Sequence, residues 1–360
     1  MLDLGDKDRY AQRLLDQLSQ TAVKLGLVGV GVSPVRRYLN VKTMLYDRKA
    51  AGLNDNMEFT YRNPIRSTDP RLILANAQSV VTSAFAYDDS NEIEKEHSSL
   101  FARYARSDSY QELRNRLELL SNVLHDQGHR TVIVIDSNAL VDKEAALRSG
   151  LGIYLKNSLI AVRGIGSNIV LGNIVTDVLI TRTRNDQRLT GCGTCTLCIS
   201  ACPTAAIGEN GSIDARRCLS WVLQRPGTIM EEYRALMGTN IYGCDICQDV
   251  CPYNARRKAP NVLANEVIFD DLVYFLNASD EEILANFAHL YIRNRDVNIL
   301  RRNALISLAN FPYSVKAHAE AALDLIDTYC NSTDLVLVEH ATWSRQIIND
   351  QLIMRQKTFG

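Results

Sequence analysis

Eight of the nine cysteines in this chain fall between Cys192 and Cys251, and so dense a cluster decides what the middle of the molecule must be built around. The compartment comes first. The opening segment, residues 1–18, is charged and helical in pattern, and the chain carries no uninterrupted apolar stretch of signal-peptide or membrane-span length. Residues 33–39, with Arg36 and Arg37, look a little like a twin-arginine export signal. Asp47, Arg48 and Lys49 stand where its apolar segment would have to be. The expectation is a cytoplasmic protein, no membrane contact and a monomer. In a reducing compartment clustered cysteines are metal ligands or catalytic groups rather than disulfides. Cys330 stands alone on a helical stretch and reads as a small buried apolar residue.

The spacing narrows this to one chemistry. Cys192, Cys195, Cys198 and Cys202 followed by Pro203 match C-x2-C-x2-C-x3-C-P, the bacterial ferredoxin pattern, at every position. Cys218 and then Cys244, Cys247 and Cys251, with Pro252 after the last, form a looser second set. By analogy with two-cluster ferredoxins, Cys192, Cys195, Cys198 and Cys251 are assigned to one 4Fe-4S cluster. Cys202, Cys218, Cys244 and Cys247 are assigned to the other. Structural zinc is the competing reading of a Cys-x2-Cys pair, and the two C-x3-C-P endings weigh against it. Two adjacent clusters conduct single electrons, so an unidentified low-potential donor and a reducible substrate are expected.

A chain of 360 residues far exceeds a ferredoxin, and 46% hydrophobic with 22% charged residues suits several folded domains. Helical apolar spacing over 12–27 leads into a short strand ending at Pro34. Strand-like runs follow at 79–87, 131–135, 158–162 and 168–180, separated by helical stretches at 99–127 and 142–147. This alternation predicts an α/β domain over 1–185, followed by a ferredoxin-like two-cluster domain over 186–260. Helical patterns at 272–276, 281–292, 296–308, 314–330 and 339–354 predict a helical array over 261–360. Its paired helices resemble HEAT-type repeats, without a strict period.

Other features are weaker. The chain has no phosphate loop and no G-x-G-x-x-G, and Gly164 and Gly166 read as a turn. His125 and His129 are four apart with Gly128 between them, and His318 lacks a following P-C-x-x-C. These, with His97, His289 and His340, read as ordinary surface or core. Asp136 follows the apolar run 131–135 and precedes a helix, where binding groups collect, so it is a candidate general acid. Equally, Asp136 or Ser137 could simply cap or turn into the next segment. Arg103, Tyr104, Arg106 and Tyr110 could meet an anion or lie along a helix edge. Arg256, Arg257 and Lys258, with Arg293, Arg295, Arg301 and Arg302, could form a phosphate-binding surface or a solvated face. The net charge of -1 leaves any nucleic-acid contact to such local patches.

Taken together the residues resemble the epoxyqueuosine reductase family. The most specific strings are Asp214-Ala215-Arg216-Arg217-Cys218-Leu219-Ser220, then Ile241-Tyr242-Gly243-Cys244-Asp245-Ile246-Cys247-Gln248, then Val250-Cys251-Pro252-Tyr253-Asn254. The resemblance implies an α/β domain binding cobalamin, two 4Fe-4S clusters and a HEAT-like region that helps hold the tRNA anticodon stem-loop. The implied reaction reduces epoxyqueuosine to queuosine at the wobble base. Asp136-Ser137-Asn138-Ala139-Leu140 and Ser149-Gly150-Leu151-Gly152 match the family's Asp-Ser stretch and glycine turn, which places Asp136 at its proton-donor position. Lys156, Asn157 and Ser167 are the implied cobalamin contacts.

The chain departs from the family at Gly152-Ile153-Tyr154-Leu155-Lys156-Asn157, where Gly-Trp-Ile-Gly-Lys-Asn is expected. It departs again at Leu171-Gly172-Asn173, where Leu-Gly-Glu is expected, and at Gln111, where His is usual. Two other functions compete: a cobalamin-dependent small-molecule reductase similar to reductive dehalogenases, and a non-catalytic electron carrier.

Overall fold

The computed structural model describes residues 4–87, 96–180, 191–255 and 264–359, which fall into two units. The first comprises 1–91, 108–216 and 246–257; the second comprises 92–107, 217–245 and 258–360.

In the first unit the runs rich in valine and isoleucine become strands. Helix α1 (Leu4–Lys24) leads into strand β1 (Val30–Pro34), helix α2 (Leu39–Ala50) and strand β2 (Ser79–Ala86). Helix α3 (Ser109–His125), strand β3 (Thr131–Ile135) and helix α4 (Asp142–Ser149) follow. A two-residue pair, β4 (Ile153–Tyr154) and β5 (Ile160–Ala161), precedes the long strand β6 (Ile169–Thr176). The sheet order is β1-β2-β6-β3, and every ladder is antiparallel. Helix–strand alternation is present as expected, but without the parallel ladder it ordinarily brings. The cause is β6: β2, α3 and β3 form a β-α-β unit whose two strands run the same way, and the late strand β6 is inserted between them.

Both faces of the sheet are covered. On one, α3 presents Leu113, Leu117, Leu120 and Leu124, spaced for one helix face and all buried. It comes so close that a Cβ on Gly172 would stand 2.6 Å from a Leu117 methyl, so any side chain there would push that leucine aside. On the other, Val80, Val134 and Val175 pack with Tyr38, with Val41 and Leu45 of α2, and with Leu140 and Ala145 at α4. Alternation along the strands puts Thr82 and Asn173 on this second face, paired across β2 and β6. Helix α3 begins later than its apolar pattern suggests because Asp108 caps it, accepting the Gln111 N–H at 3.0 Å. Helix α2 escaped the periodicity reading because it turns only Val41 and Leu45 fully inward and has no side-chain cap.

In the second unit, helices α5 (Asn265–Asn277), α6 (Asp280–Asn286), α7 (Asn298–Asn310), α8 (Lys316–Cys330) and α9 (Leu335–Phe359) answer the five predicted helical patterns. Ser279 caps α6, accepting the Glu282 N–H at 3.2 Å. Phe101, Phe275, Phe287 and Phe311 fill the core at tilted or edge-on ring angles. Helix α7 also ties down the segment 222–241. Asn303 Nδ2 donates to the carbonyls of Leu223 and Ile241, and Asn310 Nδ2 to those of Arg234 and Gly238. No helix among the described residues is long and apolar enough to cross a membrane.

Candidate active site

The two Cys-Pro steps produce the same local shape. Cys202 (ψ 110°) ends the one-turn helix Leu197–Ala201, and Cys251 (ψ 121°) follows Ile246–Asp249. Proline forces each preceding cysteine out of helical conformation and stops the turn there. Within the first unit Cys192, Cys195, Cys198 and Cys251 gather. Burial pushes the Cys198 thiol up, and Cys192, Cys251 and Cys195 push it further. Burial likewise raises Cys251, with Cys192 and Cys195 adding to it, against lowering by the Tyr253 and Asn254 N–H groups. Thiols that oppose each other's ionisation are what bound irons would relieve, so this set suits a cluster. Among the described residues no three His, Cys, Asp or Glu side chains converge as the ligand shell of one metal ion does. Four thiolates around a cube are set wider than four around one ion.

Main-chain N–H groups already face the sulfurs: Lys156 N donates to Cys192 Sγ and Ala206 N to Cys202 Sγ, both at 3.3 Å. The Lys156 ammonium donates to the carbonyls of Gly193 and Cys195, each at 2.9 Å. Of the second cysteine set, Cys202 and Cys247 belong to the first unit and Cys218 and Cys244 to the second; all four are partly exposed.

The structure ties the three expected cobalamin contacts to the cysteine segments. Besides Lys156, Asn157 Nδ2 donates to the Cys247 carbonyl at 3.4 Å. Ser167 N donates to Asn254 Oδ1 at 2.8 Å and Ser167 Oγ to Gln248 Oε1 at 3.2 Å. Asn157 and Ser167 are 4% and 3% exposed, while Lys156 keeps a partly exposed side chain with a third N–H beyond those two carbonyls. Gly166, at φ 92°, lies so near Asn254 that no side chain would fit.

Asp136 follows β3 at φ 39°, a left-handed conformation rare for a residue with a side chain. It is exposed, yet protein crowds it enough that desolvation raises its carboxyl, opposed by Lys143. Ser137 does form a turn, its Oγ accepting the Ala139 N–H at 3.2 Å, as the turn reading of this loop expects. Sequence reasoning passed over Asp142, the first residue of α4. Its carboxyl accepts Asn173 Nδ2 at 2.5 Å, and burial and then the charge of Asp136 hold it well above the usual carboxylate range. An acid in the first helical turn looks like an ordinary dipole partner, which hides such a role. Next to this loop, Arg62, Asn63, Arg66 and Asn138 line a cavity of about 400 Å³.

The remaining candidates are structural. Arg302, expected on a phosphate-binding surface, is 1% exposed; its guanidinium donates to the carbonyls of Arg225, Gly227, Val222 and Leu223. Arg301 pairs with Asp280 at 2.5 Å. Arg103 N donates to Asp245 Oδ2 at 2.8 Å and Arg106 Nε to the Phe101 carbonyl at 3.0 Å. Arg256, Arg257 and Lys258 lie outside the described residues. His125 meets Thr131, His129 meets Tyr10, and His97 meets Asp271.

The chain is similar to known proteins. Residues 191–254 match the 4Fe-4S double cluster binding domain family. The chain is 30% identical to an epoxyqueuosine reductase of Lactococcus garvieae over 96% of this chain and 99% of that one. It is similar to a solved epoxyqueuosine reductase bound to a tRNA-Tyr epoxyqueuosine-modified stem loop, with TM-score 0.78, 26% identity and coverage of 94% and 91% of the two chains. It is also similar to the reductase of Bacillus subtilis whose catalytic aspartate loop is swung out of the active site, with TM-score 0.76, 25% identity and the same coverage.

Proposed function

The chain belongs to the epoxyqueuosine reductase family, and from that premise we propose that it reduces epoxyqueuosine to queuosine at the wobble position of tRNA. The observation that carries this reading is a pairing within one unit. A gathered cysteine set supplies the place for an electron source, and Asp136, an accessible carboxyl raised by desolvation, supplies the acid. A small-molecule reductase or a bare electron carrier is disfavoured, because the likeness to epoxyqueuosine reductases runs through nearly the whole chain, helical third included.

Two electrons and two protons convert the epoxide to an alkene and release its oxygen as water. Cobalamin, when bound, would supply the strongly reduced centre, with electrons relayed from the two 4Fe-4S clusters and ultimately from a low-potential donor. Of Lys156, Asn157 and Ser167, Lys156 has the accessible donor best suited to a cofactor rim rich in carboxamides. The other two support the cysteine segments through their bonds to Cys247, Gln248 and Asn254. Asp136 must hold its proton near neutral pH and give it to the departing oxygen, which desolvation favours. Its loop, residues 136–141, corresponds in this reading to the loop that swings in the Bacillus subtilis reductase.

We assign Cys192, Cys195, Cys198 and Cys251 to one cluster, and Cys202, Cys218, Cys244 and Cys247 to the other. Function divides along 1–185 for cofactor and acid, 186–260 for the clusters, and 261–360, HEAT-like, for the anticodon stem-loop. The Arg62 and Arg66 cavity is a second place for RNA phosphates. The protein acts as a cytoplasmic monomer. The test is Asp136→Asn with clusters and corrin in place. Single-turnover reduction should fall by about 10²-fold or more, and an unchanged rate would remove Asp136 from the chemistry.

A further inference from the structure

Two one-turn helices, Phe59–Arg62 and Pro64–Ser67, form one braced piece beside the loop that carries Asp136. Ser67 Oγ shares its proton between the carbonyls of Thr60 and Asn63, at 3.0 and 3.1 Å, and Asn63 Oδ1 accepts the Arg66 N–H at 3.1 Å. The loop is fastened to this piece at its far end, where Val141 N donates to the Ser67 carbonyl at 2.9 Å and Leu140 is fully buried. At its near end Ile135 pairs with Gly172 of β6. Between these anchors Asn138 lines the cavity together with Arg62, Asn63 and Arg66, and its amide has no hydrogen-bond partner among the described residues.

The lining sorts the ligands this cavity can take. The Asn63 oxygen is committed to the Arg66 main chain, so its Nδ2 is the end left to donate. Arg66 has no ion pair among the described residues. Arg62 has only Glu58, at 4.0 Å between side chains 70% and 59% exposed, a contact of little strength. None of the four lining residues is acidic. Two guanidinium groups and two amide NH2 ends are thus set against a single open acceptor, the Asn138 oxygen. A nucleobase edge is uncharged and mixes donors with acceptors. A phosphate diester offers only acceptors and carries the charge that guanidinium groups match.

We propose that this cavity takes a backbone phosphate close to the modified nucleotide, held by Arg62, Arg66 and the Asn138 amide, and that this bridge latches the Asp136 loop against residues 59–67. Asn138 is the positioning residue: of the four lining residues it alone belongs to the loop, two positions from Asp136. Asp136 stands at φ 39°, a conformation that an L residue keeps only when its surroundings hold it. The cavity is formed with the loop in this arrangement, so an occupant that bridges its two walls favours the arrangement, and the arrangement favours the occupant. The acid is therefore set most firmly when the RNA is in place. The inference rests on the reading of Asp136 as proton donor and of the tRNA loop as substrate.

The experiment uses the full chain, replete in clusters and loaded with cobalamin. Amide hydrogen exchange over 136–141 is measured in the free protein, with saturating epoxyqueuosine-bearing tRNA stem-loop, and with inorganic phosphate alone. Single-turnover rate and stem-loop affinity are measured alongside. The stem-loop should slow exchange over 136–141 about threefold, and inorganic phosphate should leave it unchanged. Stem-loops carrying one uncharged methylphosphonate at a time near the modified nucleotide should lose the slowing at one position. Asn138→Ala should lose it with every stem-loop and lower the rate at saturating RNA about tenfold, the size of one hydrogen bond to a charged group, with affinity within about threefold of the parent because the bond is spent on ordering the loop. Arg66→Gln, which keeps the main-chain bond to Asn63, should lose the slowing too, and the critical methylphosphonate should add nothing further in that variant. Exchange that RNA leaves unchanged, an Asn138→Ala enzyme with parental protection and rate, or protection that survives every methylphosphonate would overturn the proposal. So would full protection by inorganic phosphate alone, which marks a site for free anions. A stem-loop that fails to bind would instead overturn the substrate reading, and full activity of Asp136→Asn with protection intact would overturn the proton-donor reading, so the failures are distinguishable.

Discussion

Asn173 Nδ2 stands 2.5 Å from a carboxyl oxygen of Asp142, and that single bond joins β6, an inner strand of the sheet, to the first residue of α4, which follows the loop that carries Asp136. Desolvation raises the Asp136 carboxyl in that loop. Lys143 is the counterweight, the one group found to hold the Asp136 carboxyl down.

Removing that counterweight gives the first prediction. Reduction requires protonated Asp136, so its rate falls as pH rises through the Asp136 pKa. Lys143→Gln should raise that pKa and carry the falling limb to higher pH, with little change in the acid plateau. The pH–rate profile checks it, and a limb moving to lower pH would contradict the assignment of signs.

The cysteine assignment makes a paired prediction. Cys192→Ser and Cys251→Ser, distant in sequence, should each lower iron from about eight to about four per chain, because they are proposed to share one 4Fe-4S cluster. Iron analysis with low-temperature spectroscopy of the reduced protein reads this directly. If the two variants retain different clusters, the grouping is wrong.

Lys156 sets a cation against the carbonyls of Gly193 and Cys195. A cation beside a cluster stabilises the reduced, more negative form. Lys156→Met should therefore lower the midpoint potential of the adjacent cluster, by about 59 mV for each tenfold loss in electron affinity. A potential that rises would show that the ammonium is not felt by the cluster in this way.

Arg302 is held by four carbonyls in the second unit. Burial pushes it down to about 9, which still leaves it charged at neutral pH. Arg302→Met should cost about 3 kcal/mol or more, since buried carbonyls left without donors cost about 1–3 kcal/mol each. Denaturant unfolding checks the size; a loss under 1 kcal/mol would mean the carbonyls find other partners.

What the sequence disclosed, and what it hid, follows from the range of each interaction. Cysteine spacing is local and chemically strict, so Cys192 to Cys202 could be read directly. Strand β3 was legible for the same reason, its run of β-branched residues being complete within five positions. The insertion of β6 between β2 and β3 was not legible, because strand order depends on pairings nearly a hundred residues apart, such as Thr82 with Asn173. Asp142 was missed because its partner, Asn173, comes from a strand some thirty residues further along the chain. Arg302 was misread because a basic residue in a run of polar ones looks solvated until the carbonyls of 222–227 close around it.

The cavity at Arg62 and Arg66 offers a last check on the RNA side. If both arginines meet phosphates of single-stranded loop nucleotides, Arg62→Ala with Arg66→Ala should flatten the salt dependence of stem-loop binding by about 0.7 per lost contact. Parallel salt plots for parent and double variant would exclude those contacts.

The most direct measurement is an anaerobic assay of the reconstituted protein with a low-potential reductant and epoxyqueuosine-containing tRNA, with and without cobalamin, followed by mass analysis of the digested nucleosides. The account predicts queuosine, lighter than its precursor by one oxygen, formed only when cobalamin is present. Unchanged epoxyqueuosine, with both clusters and the corrin verified in place, would contradict it.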